Sequence, residues 1–308
     1  MKNILIIGAS GFIGSNILKF LNEKKVFNIT TLSRKKISLR NSNNFNKFYS
    51  DNFFIYKDWN KIMYNTDVVI IAAGAAHNKY KSIEDINKIN YNLPKYIAMN
   101  AIRNDVKKII FISSMSVHSF KDEITINENI NPDPINHYGI SKLKIENELI
   151  KICRNQLELT IIRPPLVYGN NSQGNFTTIQ KFTSYKLYLP TRSINSKKSF
   201  IYIKNLAYFI YLCIITNNSG LFLISDDDDV SLTEIISIIN EAKNQKNRQF
   251  NLNLRLMAFL SKIFFVYSIF EKIAQKKTID ISKAKKMTGY KPLYNIKEAI
   301  NDIYNNIT

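Results

Sequence analysis

Short apolar runs alternate with stretches of helical spacing along the first half of the chain. The helical stretch between two of these runs, residues 90–103, is about fifteen residues long, which is the length of a crossover helix. Strands covered on both faces are continuous apolar runs without polar alternation. The alternation therefore predicts an α/β fold with a doubly wound parallel sheet. The predicted strands are residues 4–7, 28–32, 67–73, 108–113 and 159–163, and the predicted helices are residues 13–21, 90–103 and 141–154.

The pattern is less regular after Tyr168. Strands are predicted at residues 200–203 and 221–225, with an apolar helix at residues 206–215. A Gly-Tyr-Lys-Pro turn at residues 289–292 precedes a last helix. This second half is expected to form a smaller C-terminal region.

A glycine-rich loop joins the first predicted strand to the first predicted helix. Gly8 permits the tight turn, Gly11 lets the backbone approach a pyrophosphate, and Gly14 allows close packing of helix and strand. The helix N-terminus adds unpaired N–H groups and a positive dipole end. The loop therefore predicts a Rossmann dinucleotide-binding site. Its expected cofactor contacts are Gly8, Ser10, Gly11, Phe12, Ile13 and Gly14.

The glycine loop and the change of pattern give the expected domain organisation. Residues 1–168 are predicted to be the dinucleotide-binding Rossmann domain. Residues 169–308 are predicted to be mostly a substrate-binding region, with some elements returning to the Rossmann domain.

The end of the second predicted strand bears on the choice between NAD and NADP. An acidic residue there binds the ribose 2′-hydroxyl of NAD, whereas an arginine suits the 2′-phosphate of NADP. Ser33 and Arg34 stand at this point without a carboxylate, which favours NADP(H) over NAD(H), although an arginine in a loop is often only a surface residue. Asp58 is placed to meet the adenine amino group or to cap a helix. Trp59 is expected to pack in the core or at the cofactor rim.

Tyr138 and Lys142 form a Y-x-x-x-K pattern, and Ser114 stands upstream at the end of a predicted strand. On a helix, Lys142 lies one turn after Tyr138, where its ammonium can lower the phenol pKa and hold the nicotinamide ribose. The tyrosine is then a usable proton donor or acceptor near neutral pH. The Ser114 hydroxyl can hydrogen-bond the reacting carbonyl or hydroxyl. Taken singly, the tyrosine could be a packing residue and the serine a helix cap.

The order of these motifs resembles the extended short-chain dehydrogenase/reductase superfamily. The glycine loop, the serine pair near residue 113, Y-x-x-x-K and the sequence IIRPPLVYG at residues 161–169 follow one another along nearly the whole chain. Within the NAD-dependent epimerase/dehydratase family, the chain is most similar to a bacterial subgroup of UDP-glucose 4-epimerase-like proteins and UDP-4-keto-6-deoxy-N-acetylhexosamine 4-reductases. That similarity also rests on GNF at residues 174–176 and LISDDDDVSLTEII at residues 223–236.

The resemblance implies roles for individual residues. Tyr138 would be the general acid/base, Ser114 would orient the carbonyl, and Lys142 would support the tyrosine and hold the ribose. Lys198 stands where an arginine is more usual, and His118 stands where the family often has a tyrosine. The remaining implied contacts are Ala72, Ala73, Gly74 and Pro165 for the cofactor, with Asn90 packed nearby, and Ser114, Asn175, Arg192 and Lys198 for the substrate.

The resulting functional prediction is a nucleotide-sugar oxidoreductase. It would reduce the C4 ketone of a UDP-4-keto-6-deoxy-N-acetylhexosamine with NAD(P)H, for surface polysaccharide synthesis. One alternative is a UDP-hexose 4-epimerase that uses bound NAD and returns the hydride to the opposite face. A second alternative is a non-catalytic NAD(P)-binding regulator, which would have no need of the Ser, Tyr and Lys set.

The formal net charge of +19 is spread in short groups along the chain, without a long basic tract. Nucleic-acid binders concentrate charge on one element, so a nucleic-acid partner is not expected, whereas a positive field favours an anionic UDP-sugar. Cys153 and Cys213 each stand among apolar residues, which predicts buried thiols in a reducing, cytoplasmic setting. A homodimer is left open.

Residues 254–273 are the most membrane-like segment, but Arg255, Lys262 and Glu271 interrupt it, so no transmembrane span is expected. An amphipathic helix packed on the protein is the favoured interpretation, and a peripheral helix lying on a bilayer is the alternative. The three histidines form no metal pattern. Residues 226–229, four aspartates, are expected to be a solvated loop rather than a calcium site.

Overall fold

The computed structural model describes residues 1–37, 45–50, 53, 56, 58–75, 82–121, 124–172, 175–184, 188–263 and 274–305. The strands are β1 (Lys2–Ile7), β2 (Phe27–Ser33), β3 (Phe45–Tyr49), β4 (Val68–Ile71), β5 (Lys108–Ile112), β6 (Glu158–Arg163), β7 (Leu166–Tyr168), β8 (Phe200–Tyr202) and β9 (Gly220–Leu223). The helices are α1 (Phe12–Lys24), α2 (Trp59–Met63), α3 (Ile83–Asn87), a π-helical turn (Lys88–Asn92), α4 (Leu93–Arg103), a 3₁₀ turn (Met115–Val117), α5 (His137–Cys153), α6 (Asn175–Ser184), α7 (Ile203–Ile215), α8 (Leu232–Ala242), α9 (Leu254–Ile263), α10 (Ser282–Thr288) and α11 (Ile296–Asn305).

Seven strands form one parallel sheet in the order β3-β2-β1-β4-β5-β6-β9. Ile7, the last residue of β1, lies beside Leu32 of β2 on one side and beside Ile71 of β4 on the other. The strand order therefore reverses between β1 and β4, which is where ligands bind in such sheets. The predicted doubly wound α/β fold is confirmed.

Helices cover both faces of this sheet. Along β1, Ile4 and Ile6 belong to the buried cluster that contains α1 and α7, whereas Leu5 and Ile7 belong to the cluster that contains α4 and α5. Alternate residues of a strand point to opposite faces, so a continuous apolar run is buried on both sides. The two cysteines are buried and free, as the sequence predicts.

Two elements of the second half pack on the first half. β9 pairs in parallel with β6 at the edge of the sheet. α7 packs on α1, where the ring centroids of Tyr208 and Phe20 are 6.2 Å apart. β7 and β8 form a separate two-stranded parallel sheet. The division of the chain at residue 168 stays a prediction.

The expectation of a solvated loop at residues 226–229 is wrong for its first residue. Asp226 is buried, and its carboxylate accepts hydrogen bonds from the Tyr168 hydroxyl (2.6 Å), the Tyr202 backbone N–H (2.8 Å) and the Asn205 side-chain amide (2.7 Å). Burial raises the pKa of Asp226 to about 7. The carboxylate joins β7, β8 and α7, because each of them supplies one donor.

The predicted membrane-like segment lies only partly within the described residues. α9 covers residues 254–263, and residues 264–273 lie outside them. Among the helices of the described ranges, none is both long enough and apolar enough to cross a bilayer.

Candidate active site

The glycine loop lies at the end of β1, where the backbones of β1, β4 and α1 come close together. Gly8 has φ +88°, and a Cβ at this position would stand 2.6 Å from the backbone N of Ala73. A Cβ on Gly14 would stand 2.3 Å from the carbonyl O of Gly8. Neither position can carry a side chain without moving backbone, so the loop forms a bare backbone cradle.

The N-terminus of α1 opens onto this cradle. Its cap residue, Gly11, donates its backbone N–H to the carbonyl of Gly8 at 3.0 Å and supplies no side-chain cap. The first turn holds no acidic residue. Ser10 is exposed, and Phe12 and Ile13 are half-buried. A helix start of this kind, bare of acidic side chains, suits a diphosphate, and the residues present fit the predicted dinucleotide.

The residues predicted to distinguish NAD from NADP lie at the end of β2. Ser33 is buried, and its hydroxyl donates to the carbonyl of Lys35 at 2.7 Å. Arg34 is exposed. The Ser33 hydroxyl therefore stabilises the turn. Of the two residues, Arg34 carries the positive charge that would contact the 2′-phosphate of NADP.

Asp58 and Trp59 stand at the start of α2. Asp58 is exposed, and its side chain makes no capping hydrogen bond. Trp59 is buried and packs edge-on against Tyr56 and Tyr96, with ring centroids 5.8 Å and 5.6 Å away. The structure thus places Trp59 in the core, and cofactor contacts for these two residues stay a prediction.

The backbone that follows β4 passes over Lys142. Ala72 and Ala73 are half-buried, and a Cβ on Gly74 would stand 3.5 Å from the Lys142 Nζ. Behind this backbone, buried Asn90 accepts from the N–H of Ala75 at 2.8 Å. The Asn90 amide donates to the Ala75 carbonyl and to the Ser141 hydroxyl, each at 3.2 Å. Asn90 therefore fixes the end of β4 against α5.

The structure brings Ser114, Tyr138 and Lys142 together. Asn136 caps α5 by accepting from the N–H of Gly139 at 2.8 Å, so Tyr138 and Lys142 lie one turn apart in the first turns of this helix. The Ser114 hydroxyl lies close enough to Tyr138 to lower its pKa, and it also caps the 3₁₀ turn by accepting from the N–H of Ser116 at 3.1 Å. The Lys142 Nζ lies 5.9 Å from the centroid of the Tyr138 ring. The arrangement expected from the sequence is present, whereas the chemical roles of the three residues stay predictions.

The pKa of Tyr138 differs from the expectation that Lys142 would lower it. Burial raises the pKa of Tyr138 to about 12, and the nearby Ser114 hydroxyl only partly opposes this. Lys142 does not lower the phenol pKa here, because its Nζ donates to the carbonyl of Ile112 at 2.9 Å rather than to the phenol. Burial also lowers the pKa of Lys142 to about 8, against the attraction of Glu146. The protein alone therefore leaves the tyrosine protonated at neutral pH.

An ion pair that the sequence analysis missed lies directly behind these groups. Glu146 is one turn after Lys142 on α5 and is 1% exposed. Arg163, at the end of β6, donates to both Glu146 oxygens, at 2.5 Å through its Nη2 and at 3.1 Å through its Nε. Ser113 also donates to Glu146. We call Ser113, Ser114, Tyr138, Lys142 and Glu146 the catalytic edge, after the roles predicted for Ser114, Tyr138 and Lys142.

His118 completes this buried network. Its Nε2 accepts from the Nη1 of Arg163 at 3.1 Å. Burial and the neighbouring Arg163 lower the pKa of His118 to about 4, so it is neutral at pH 7. The sequence carries a partial signal: Glu146 follows Lys142 at helical spacing, and Arg163 ends a buried strand where a charge requires a partner.

Apart from Ser114, the predicted substrate residues belong to other parts of the surface. Pro165, a predicted cofactor contact, is half-buried between β6 and β7. Asn175 opens α6, with its side chain outside the described part of the chain. Arg192 is exposed, and its N–H donates to the Phe250 carbonyl at 3.3 Å. Lys198 is half-buried, and its Nζ donates to the Gln275 carbonyl. We call residues 188–199 the substrate-side segment; its binding role stays a prediction.

A backbone cradle that suits a diphosphate lies beside a serine, tyrosine and lysine cluster at the reversal point of a parallel sheet, which is the fold of a nicotinamide-dependent enzyme. Residues 4–221 match the model of the NAD dependent epimerase/dehydratase family. The chain belongs to this family, which confirms the predicted family and the prediction of an NAD(P)-dependent enzyme.

Two of the relatives carry the names of 4-epimerases. Over 96% of its length the chain is 28% identical to the UDP-glucose 4-epimerase of Vibrio cholerae, of which it covers 93%. Over 79% of its length it is 25% identical to the N-acetyl-alpha-D-glucosaminyl-diphospho-ditrans,octacis-undecaprenol 4-epimerase of Escherichia coli O157:H7, of which it covers 73%.

Solved structures share the fold. The UDP-glucuronic acid 4-epimerase from Bacillus cereus, in complex with NAD, superposes with a TM-score of 0.81 over 99% of this chain and 96% of that one, at 19% identity. The UDP-N-acetylglucosamine 4-epimerase from the same organism gives a TM-score of 0.77. These comparisons give no support to a preference for NADP over NAD.

Proposed function

We propose that this chain is a UDP-hexose 4-epimerase that works with bound NAD. The observation that carries the proposal is the meeting of Tyr138, Ser114 and Lys142 next to the glycine cradle. The 28% identity to a UDP-glucose 4-epimerase along almost the whole chain supports the same reaction. The sugar is expected to be a hexose or N-acetylhexosamine joined to a diphosphate.

The cofactor fits the residues at the cradle and at the end of β4. Gly8, Gly11 and Gly14 would hold its diphosphate, and Lys142 below Gly74 would hold the nicotinamide ribose. When bound, NAD supplies a hydride acceptor and then a hydride donor for C4 of the sugar. NAD suits an epimerase because the reaction returns the cofactor to its starting state in each turnover.

Tyr138 is proposed to move the proton. When the sugar is oxidised, the O4 proton passes to the Tyr138 oxygen and the C4 hydride leaves the sugar; when the ketone is reduced on its other face, both return. Ser114 would hold O4 by a hydrogen bond. Because burial raises the pKa of the phenol and Lys142 donates to the Ile112 carbonyl instead, the proton acceptor form needs further positive charge, which the oxidised cofactor ring would bring when bound.

Net reduction of a UDP-4-keto-6-deoxy-N-acetylhexosamine is a second candidate. The absence of a carboxylate after β2 and the exposed Arg34 favour it, because both suit NADPH, a cofactor that is consumed. The same catalytic edge serves either reaction, so the cofactor balance distinguishes them.

One pair of incubations tests the proposal. The purified protein is mixed with UDP-glucose or UDP-N-acetylglucosamine without added reductant, and the C4 epimers are followed by NMR. In parallel it receives UDP-4-keto-6-deoxy-N-acetylglucosamine with NADPH, followed by absorbance. We expect epimer formation without net consumption of reduced cofactor. Stoichiometric loss of NADPH without epimer formation would instead establish the reductase, and cofactor binding without any turnover would favour a regulator.

A further inference from the structure

One face of α9 is apolar and exposed to solvent. Leu256, Phe259 and Ile263 are 44%, 60% and 52% exposed, respectively. They are three and four residues apart, so they form a continuous stripe along one side of the helix. On the opposite side Ser261 is buried against the protein. Single exposed apolar residues are ordinary, but a contiguous stripe indicates an interaction surface.

Positive charge borders this stripe. Arg255 and Lys262, seven residues apart and both exposed, lie next to the apolar stripe on the same side of the helix. Residues 242–263 contain five basic residues and no acidic residue. An apolar stripe flanked by Arg and Lys is the pattern of helices that lie in the interface of an anionic bilayer. We call Arg255, Leu256, Phe259, Lys262 and Ile263 the α9 face.

The residues before α9 hold it next to the substrate-side segment. The N–H of Leu252 donates to the Ser193 hydroxyl at 3.2 Å. Phe250 pairs with Leu189 at 3.0 Å and accepts from the N–H of Arg192 at 3.3 Å. A bilayer in contact with α9 would therefore lie beside the substrate-side segment.

We propose that the α9 face docks this protein on the surface of an anionic lipid bilayer. The apolar stripe enters the headgroup region, and Arg255 and Lys262 meet lipid phosphates. Charge selects this occupant over a second copy of the chain, because two α9 faces packed together would bring Arg255 and Lys262 of one copy against the same residues of the other. The face carries only two basic residues beside its apolar stripe, whereas nucleic-acid surfaces concentrate basic charge on one element.

The test is flotation of the full chain with lipid vesicles. It measures membrane binding directly and does not depend on enzyme activity. Vesicles of phosphatidylcholine with phosphatidylglycerol are compared with vesicles of phosphatidylcholine alone, at low and high salt. We expect binding only to the phosphatidylglycerol vesicles, weakened by salt. Leu256→Asn with Phe259→Asn should lower the partition coefficient at least about a hundredfold. Arg255→Gln with Lys262→Gln should lower it about thirtyfold.

Ile215→Asn is the matched control, because Ile215 ends α7 and is 47% exposed. It should bind vesicles as the unchanged chain does. Circular dichroism establishes that each variant is folded. The proposal is overturned if the unchanged chain does not float, if both double variants float as well as Ile215→Asn, or if the α9 variants instead convert a dimer to a monomer in light scattering.

Discussion

The catalytic edge and the substrate-side segment hold their charges in opposite ways. At the catalytic edge, Lys142 and Glu146 are 3% and 1% exposed, and each has its partner inside the protein. In the substrate-side segment, Arg192 is exposed and Lys198 is half-buried. A charge removed from water must be paired, whereas an exposed charge can be lost at little cost. Substitutions at the catalytic edge should therefore change both turnover and the free energy of unfolding. Substitutions in the substrate-side segment should change substrate binding alone.

The largest expected effect is the loss of the proton carrier. Tyr138→Phe removes the hydroxyl and keeps the ring, so we expect kcat to fall about a thousandfold, because a positioned general acid/base contributes about this factor. The measurement is epimer formation by NMR. Retention of nucleotide and the thermal unfolding midpoint are the controls, and both should match the unchanged protein. Activity within tenfold of the original would remove Tyr138 from the proposed mechanism.

The buried ion pair should dominate the stability of the catalytic edge. Arg163→Met leaves the Glu146 carboxylate buried without its cation, so the free energy of unfolding should fall by about 3 kcal/mol in urea denaturation. Glu146→Gln added to Arg163→Met removes both charges and should restore part of that loss.

An exposed pair on the surface serves as the matched control for this measurement. Lys297 and Glu241 are 2.7 Å apart and mostly exposed, so Lys297→Met should cost less than about 1 kcal/mol. Equal losses for Arg163→Met and Lys297→Met would contradict the contrast between buried and exposed charge.

His118 should make the stability of the catalytic edge sensitive to acid. Burial and Arg163 lower the folded pKa of His118 to about 4, whereas the unfolded chain takes up this proton near pH 6.5. The unfolded state thus binds more protons between these values, and stability falls as the pH decreases. At pH 5 the loss is about 2 kcal/mol relative to pH 7.

His118→Gln isolates this contribution. Unfolding free energies of both proteins are measured at pH 7 and pH 5, so that carboxylates such as Asp226 contribute equally to each. The variant should lose about 2 kcal/mol less than the unchanged protein between the two pH values. Identical pH dependence of the two proteins would show that His118 accepts its proton without penalty.

The features that can be predicted from the sequence are those set by a residue's position relative to the end of a strand. Apolar runs predict the strands of a parallel sheet, and residues directly after them, such as Gly8, Ser114 and Gly74, must meet at its carboxyl edge. Helical spacing then places Tyr138 and Lys142 on one face. These local rules are sufficient for the fold and for the convergence of the catalytic cluster.

The buried partners are not predictable in this way, because they are distant along the chain. Glu146 meets Arg163 and Arg163 meets His118 only after α5 and β6 have packed together. The burial of Asp226 is not predictable for the same reason, since its hydrogen-bond donors come from β7, β8 and α7. A run of four aspartates indicates solvent exposure until tertiary contacts are known.

The smallest expected effect is in the substrate-side segment. If the exposed Arg192 guanidinium contacts a sugar diphosphate, Arg192→Ala should raise KM for the UDP-hexose about tenfold and leave kcat unchanged, because the contact is the same in the ground state and the transition state. The unfolding free energy should not change. Arg154→Ala, an equally exposed arginine after α5, is the control and should alter neither constant. A fall in kcat with an unchanged KM would mean that Arg192 acts on the catalytic edge, so that the two regions are coupled rather than separate. If neither KM nor kcat changed, Lys198 and not Arg192 would be assigned the diphosphate contact.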